Sequence, residues 1–265
     1  MNIEFVKTSP TQNVTVLVLS PVPLAMQPEI AGKLLAYDGV GGEQVGFLEE
    51  SQGANLRLQM MGGEFCGNAS MATGAYLAWK SGLPDGAETE YPIEVSGADE
   101  IVKVGVRRVD DHYLGRVNIP AAERIQTVSL TTDSGTLTAD AVIFPGITHL
   151  ILPKETEISE VLRRIREWNG SIQAEALGAL IYDPEASRIT PIVYVPAANT
   201  VVQERGCGSG TAAIGCYCAV KGGSFTSDIQ QPGGTIRVTA KYQGGKFTVQ
   251  IEGKVKITAK GIAYV

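Results

Sequence analysis

Short runs of apolar residues at every second position, broken by Gly, Pro, Asn or Asp, recur along the chain and predict strands joined by turns. Val14, Val16 and Val18 form one run, Leu56 to Met60 another and Ile101 to Val109 a third. Thr235 to Ile251 reads as a hairpin turning at Gly244 and Gly245. Helical spacing is rarer. One helix is predicted from about Pro28 to Tyr37. A second opens at Thr156 or Ser159 as N-cap, carries Ile158, Val161, Leu162, Ile165 and Trp168 on one face, and stops at Gly170.

Two further helices are built from small residues and resemble each other. Written one above the other, CGNASMATGAYLA from Cys66 and CGSGTAAIGCYCA from Cys207 agree at six of thirteen positions without a gap. Each begins its first turn beside a cysteine, and the second ends at Gly222 and Gly223. A repeat 141 residues apart predicts two similar halves, each bringing one cysteine-headed helix to a common site.

Composition narrows the class. With 265 residues, 44% of them hydrophobic and 19% charged, the chain can bury a core of one or two domains without disulfides or metals. Its formal charge of −6 repels phosphate backbones, so nucleic acid is not an expected partner. The most apolar runs, Val14 to Met26 and Ala141 to Leu152, are interrupted and shorter than the roughly 20 residues a bilayer requires, so no membrane anchor is expected. The opening MNIEFVKTSPTQ holds Glu4 and no apolar stretch of a secretory signal, which makes the cytoplasm the expected location. Free thiols are then the expectation for Cys66, Cys207, Cys216 and Cys218. No C-x-x-C pair exists, and His112 and His149 lie far from the cysteines, so no metal site is expected. G-x-S-x-G and Walker-type loops are absent, and GCGSGT lacks the third glycine of a dinucleotide fingerprint.

The two cysteine-headed helices suggest a chemistry. A helix N-terminus offers unpaired N–H groups and about half a positive charge, which favours a carboxylate and activates a nearby thiol. Gly67, Gly208 and Gly210 leave room for a ligand to approach that backbone. A thiolate and a thiol on opposite faces of a bound amino acid could remove the α-proton and return another from behind. Read singly, either cysteine would be a small buried hydrophobe. Cys216 and Cys218, inside the second helix, are assigned to the core.

These residues resemble the diaminopimelate epimerase superfamily of cofactor-independent racemases and epimerases. The resemblance spans almost the whole chain and rests on GGEFCGNA around Cys66, ERGCGSGTAA around Cys207, and their spacing. It implies an α/β fold of two pseudo-symmetric halves, each a mixed sheet wrapped around a central helix. The halves expected are residues 1–120 with 254–265, carrying Cys66, and residues 121–253, carrying Cys207, with the last strand returning to the first. The resemblance also implies that Cys66 and Cys207 are the acid/base pair and that no cofactor takes part. Gly67, Asn68, Gly208 and Ser209 would line the substrate's carboxylate and amino group. Asn13, Gln44 and Glu204 match substrate-contacting positions, and Glu43, Gln59, His149 and Arg205 lie where further contacts are expected; read alone, Asn13, Gln44 and Glu43 could equally be turn residues and His149 a structural histidine.

Departures from the epimerase pattern bear on the substrate. Glu204-Arg205-Gly206 abuts Cys207 where epimerases have an intervening turn. Ile147 and Gln59 stand where asparagines grip the distal head of diaminopimelate. Members with these shortened motifs resemble the histidine racemases of opine-metallophore pathways, which makes histidine racemisation the leading expectation and diaminopimelate epimerisation the alternative. A non-catalytic amino-acid-binding protein is the alternative of another class, and the cysteine-free isomerase branch of the fold is disfavoured by the two cysteines. The expected partner is a small amino acid, and a homodimer is compatible with the sequence, which does not fix the oligomeric state.

Overall fold

The computed structural model describes residues 1–265, the Ala198 side chain excepted. The chain divides into two compact units, residues 1–118 with 252–265 and residues 119–251. In the first lie β1 (Asn2–Pro10), β2 (Thr15–Val18), α1 (Gln27–Leu35), β3 (Gln44–Glu49), β4 (Arg57–Met60), α2 (Gly67–Lys80), β5 (Glu88–Val95), β6 (Val102–Val109) and β7 (His112–Ile119). The second contains β8 (Arg124–Thr132), β9 (Gly135–Phe144), β10 (Ile147–Pro153), α3 (Ile158–Ile172), β11 (Leu177–Asp183), β12 (Arg188–Val195), β13 (Thr200–Gln203), α4 (Gly208–Gly222), β14 (Ser224–Gln231) and β15 (Gly234–Gln243). The long β16 (Lys246–Tyr264) begins in the second unit, and its end pairs antiparallel with β1, Asn2 opposite Tyr264.

Both units follow one pairing scheme. In the first, β1 and β2 are antiparallel, α1 crosses to a parallel β3, β4 returns antiparallel, and α2 crosses to a parallel β5 that pairs with an antiparallel β6. In the second, β9, β10, α3, β11, β12, α4, β14 and β15 repeat that order and those directions. Parallel neighbours need a crossover, and in each unit the two crossovers are made by two helices, α1 and α2 in the first and α3 and α4 in the second. The fold is thus a mixed α/β arrangement with few helices.

The two kinds of helix differ as their sequences do. In α2 every residue but Leu77, Trp79 and Lys80 is buried, and α4 is buried without a break from Gly210 to Cys216. A helix apolar or small on all sides belongs inside a unit, and the Ala, Gly and Ser residues of both let strands pack closely around them. α1 and α3 instead bury one stripe each, Ile30, Ala31 and Leu34 in α1 and Val161, Ile165 and Trp168 in α3.

Three details of α3 differ from the sequence expectation. Its N-cap is Glu157, without a side-chain cap, rather than Thr156 or Ser159. Ile158 and Leu162 lie at the exposed edge of the apolar stripe. The helix also passes Gly170, because the Asn169 amide bonds both the N–H (3.1 Å) and the C=O (3.2 Å) of Ala174 and holds a last turn that ends at Gln173 in the left-handed region. Among the described residues no helix is long and apolar enough to cross a membrane.

Candidate active site

In the first unit Cys66 is the N-cap of α2. Its backbone is extended (φ −130°, ψ 111°) and its sulfur accepts the Ala69 N–H at 3.4 Å, satisfying one donor of the helix's open first turn. The Ser70 hydroxyl bonds the Cys66 carbonyl at 2.8 Å. Parallel register between β2 and β3 places Thr15 opposite Gln44. The Gln44 side chain then reaches three groups: Nε2 donates to Asn13 Oδ1 and to Thr15 Oγ1, each at 2.8 Å, and Oε1 accepts the Cys66 thiol at 3.1 Å. Asn13, in the turn after Thr11 and Gln12, donates through Nδ2 to Glu43 Oε2 at 3.1 Å. Asn13, Glu43, Gln44 and Cys66 therefore form one hydrogen-bonded chain. Gly67 and Asn68 open α2 and are buried. Gln59 is not in that chain: its Oε1 accepts from Arg57 (3.0 Å) and its Nε2 donates to the Met60 carbonyl (3.1 Å), both along β4.

In the second unit Cys207 caps α4 with nearly the same backbone (φ −111°, ψ 106°), and its sulfur accepts the Gly210 N–H at 3.3 Å. A closed set of bonds fixes this helix start. Cys207 N–H donates to Gln231 Oε1 (2.6 Å), Gln231 Nε2 donates to Thr211 Oγ1 (2.7 Å), and Thr211 Oγ1 donates back to the Cys207 carbonyl (2.7 Å). Ser209 Oγ lies 3.6 Å from Cys207 Sγ and 3.0 Å from His149 Nε2. Burial pushes the Cys207 thiol well above its ordinary range and the adjacent Glu204 carboxylate pushes it further, while the Ser209 hydroxyl and Gly210 N–H act in the opposite direction. Gly208 opens α4 and is buried; Arg205 donates to the Pro232 carbonyl at 3.3 Å. The four cysteines form no disulfide, Cys216 is fully buried, and the half-buried Cys218 lies 3.9 Å from the Tyr182 hydroxyl.

Thr15, Gln231, Thr211 and Gly178 act at these centres without a sequence signal of their own. A glutamine at a strand end or a threonine one turn into a helix becomes meaningful only when register is known. A Cβ on Gly178 would sit 2.1 Å from His149 Nδ1, so the bare backbone of β11 makes room for the imidazole opposite it in β10.

His149 is fully buried, with Nδ1 lacking a hydrogen-bond partner and the ring meeting Phe144 edge-on. Burial lowers its pKa from 6.5 to about 3, so the folded chain holds it neutral. In the unfolded chain the ring gains a proton as pH falls through about 6.5, so acid withdraws stability from the fold progressively until about pH 3, at most about 1.4 kcal/mol per pH unit. Thermal unfolding between pH 7 and 4 should therefore fall more steeply in the wild type than in His149→Gln. Parallel pH slopes would contradict a buried neutral imidazole.

Comparison with known proteins gives these two centres a family. The family model described as the histidine racemase CntK N-terminal domain matches residues 2–264. The histidine racemase of Staphylococcus aureus strain Mu50 is 32% identical, over 99% of this chain and 98% of its own length. Solved structures share the fold at lower identity. A phenazine biosynthesis protein of the PhzF family from Bacillus anthracis aligns with a TM-score of 0.69 at 15% identity, covering 100% of both chains. A hydroxyproline epimerase from Agrobacterium vitis aligns with a TM-score of 0.69 at 14% identity, covering 98% of this chain and 92% of its own. With a family-model match that runs from its second residue to its second-last, and a relative 32% identical over nearly the full length of both chains, the chain belongs to the histidine racemase family.

Proposed function

We propose that this protein inverts the α-carbon of histidine without a cofactor, using Cys66 and Cys207 as its two bases. The observation that carries the proposal is that each cysteine caps a buried helix in nearly identical extended backbone, with its sulfur on the helix's first turn. Such a sulfur stands beside N–H groups and a positive dipole end that suit an α-carboxylate. One thiolate takes the α-proton from one face while the opposite thiol supplies a proton to the other. The charge that builds on the carboxylate in between is stabilised by fixed N–H dipoles that need no reorganisation. In the second unit Glu204 is the carboxylate positioned to accept the Cys207 proton when that thiol is converted to the base.

Histidine is favoured over diaminopimelate because a buried ammonium–carboxylate head requires paired partners, and their loss costs several kcal/mol. Ile147 and the shortened Glu204-Arg205-Gly206 segment remove part of that equipment. Incubating the reduced protein with L-histidine and, separately, with LL-diaminopimelate, followed by chiral chromatography, should give a kcat/KM for histidine higher by about 10²-fold or more. Faster inversion of diaminopimelate would reverse the substrate assignment, and retention of configuration in every amino acid of a panel would overturn racemisation itself.

A further inference from the structure

The hydrogen bonds that end on Cys66 have a direction, and one residue sets it. The Glu43 carboxylate is the only member of the chain that cannot donate. Facing it, Asn13 must present Nδ2, which it does at 3.1 Å, and so must turn Oδ1 toward Gln44. Gln44 in turn must present Nε2 to Asn13, leaving Oε1 for the sulfur of Cys66. Thr15 supports the same orientation: its hydroxyl donates to the Asn13 carbonyl at 3.2 Å, so its oxygen receives the second Nε2 hydrogen. A hydroxyl can rotate and serve either orientation, whereas a carboxylate cannot. The carbonyl that meets Cys66 welcomes S–H and repels a bare thiolate.

We propose that Glu43 is a positioning residue that acts through Asn13 and Gln44 to hold Cys66 as the thiol in the resting enzyme. This deepens the two-cysteine reading and rests on it for its catalytic meaning. In the second unit a different set of side chains meets the cysteine, the Glu204 carboxylate among them. Cys207 Sγ receives the Gly210 N–H and lies within reach of the Ser209 hydroxyl, which can donate to it while accepting from His149 Nε2. That tautomer leaves the partnerless Nδ1 as a bare lone pair rather than a buried N–H. Both sulfurs accept a first-turn N–H, from Ala69 at Cys66 and from Gly210 at Cys207; what differs is the side chains that meet them, the Gln44 carbonyl at Cys66 and the Ser209 hydroxyl and Glu204 carboxylate at Cys207.

The test reads the protonation state of Cys66 without any substrate. Iodoacetamide alkylation of Cys66, followed across pH by peptide mass spectrometry, reports its thiolate fraction. In Glu43→Gln the chain can reverse, turning a donor toward the sulfur, and Cys66 should be alkylated about tenfold faster near neutral pH, a fall of about one pH unit in its midpoint. Removing a negative charge could act through space alone, so Asn13→Ala, which keeps Glu43 and breaks the chain, must move the midpoint the same way. Thr15→Val should leave it near the wild-type value. An unchanged midpoint in Glu43→Gln, or a shift there with none in Asn13→Ala, overturns the proposal. If Asn13→Ala does not fold, ionic strength decides instead: a through-space shift in Glu43→Gln shrinks between about 0.05 and 1 M salt, and a chain reversal does not. Because alkylation needs no turnover, failure to racemise histidine would overturn the proposed function while leaving this result intact.

Discussion

Replacing either Cys66 or Cys207 by alanine is expected to lower histidine racemisation by at least about 10²-fold, the usual scale for a positioned acid or base. The two losses should not add, because the proposed scheme needs both groups in every turnover and removing the second from an enzyme already lacking the first has little left to take. Isotope incorporation supplies the mechanistic half of the test. In heavy water the proposed scheme requires the first D-histidine formed from L-histidine to carry deuterium at the α-carbon while the remaining L-histidine stays protiated, since in it the proton returned comes from a different sulfur than the one that took it. Label entering both pools at equal rates would mean a single base serving both faces. Near-full activity in either alanine variant would sink the two-cysteine scheme outright. Because each sulfur also caps its helix by accepting an N–H at 3.3–3.4 Å, serine at the same position is the companion variant. It retains the cap with a far less acidic group and should be equally inactive but better folded.

Gly178→Ala should be among the more damaging single-methyl additions to this chain. The new Cβ would lie 2.1 Å from His149 Nδ1 and 2.6 Å from Cε1, and the ring is fully buried, so it cannot turn out into solvent without opening the unit. Overpacking of this kind costs about 1–3 kcal/mol, and displacing the ring also removes its 3.0 Å bond to Ser209. A double-mutant cycle isolates the cause. In a His149→Ala background the methyl group meets vacated space, so Gly178→Ala should then cost less than about 0.5 kcal/mol in denaturant unfolding. Equal costs in both backgrounds would show that the β11 backbone, rather than the imidazole, is what resists the added carbon.

Several features of this protein are legible in its residues taken in order. The small-residue composition of 67–80 and 208–222 marks two helices, and the structure buries most of each, because Ala and Gly permit close approach of the surrounding strands. The Cys-Gly at the head of both fixes where each helix begins, since an extended residue with a side-chain acceptor followed by small residues is an N-cap signal. The alternating runs locate β2, β4, β6 and the β15–β16 turn to within a residue or two. Asn13, Gln44 and Glu204 are found by resemblance, which carries positions but not partners.

Only the tertiary structure decides what those residues do to one another. Gln44 meets Asn13 and Thr15 because β2 and β3 are parallel neighbours across α1, and His149 lies over Gly178 because β10 and β11 are parallel neighbours across α3. Local sequence sets the two-residue period of a strand but not which distant strand lies beside it or in what register, and a slip of one residue would turn Gln44 and His149 to the opposite faces of their sheets. The ends of α3 show the same limit on a smaller scale: Gly170 is a stop signal by itself, yet the Asn169 amide reaches Ala174 and carries the helix past it. The direction of the chain from Glu43 to Cys66 lies furthest from the sequence. It follows from the difference between a carboxylate, which only accepts, and an amide, which does both, and that difference acts only once folding has set the four side chains end to end.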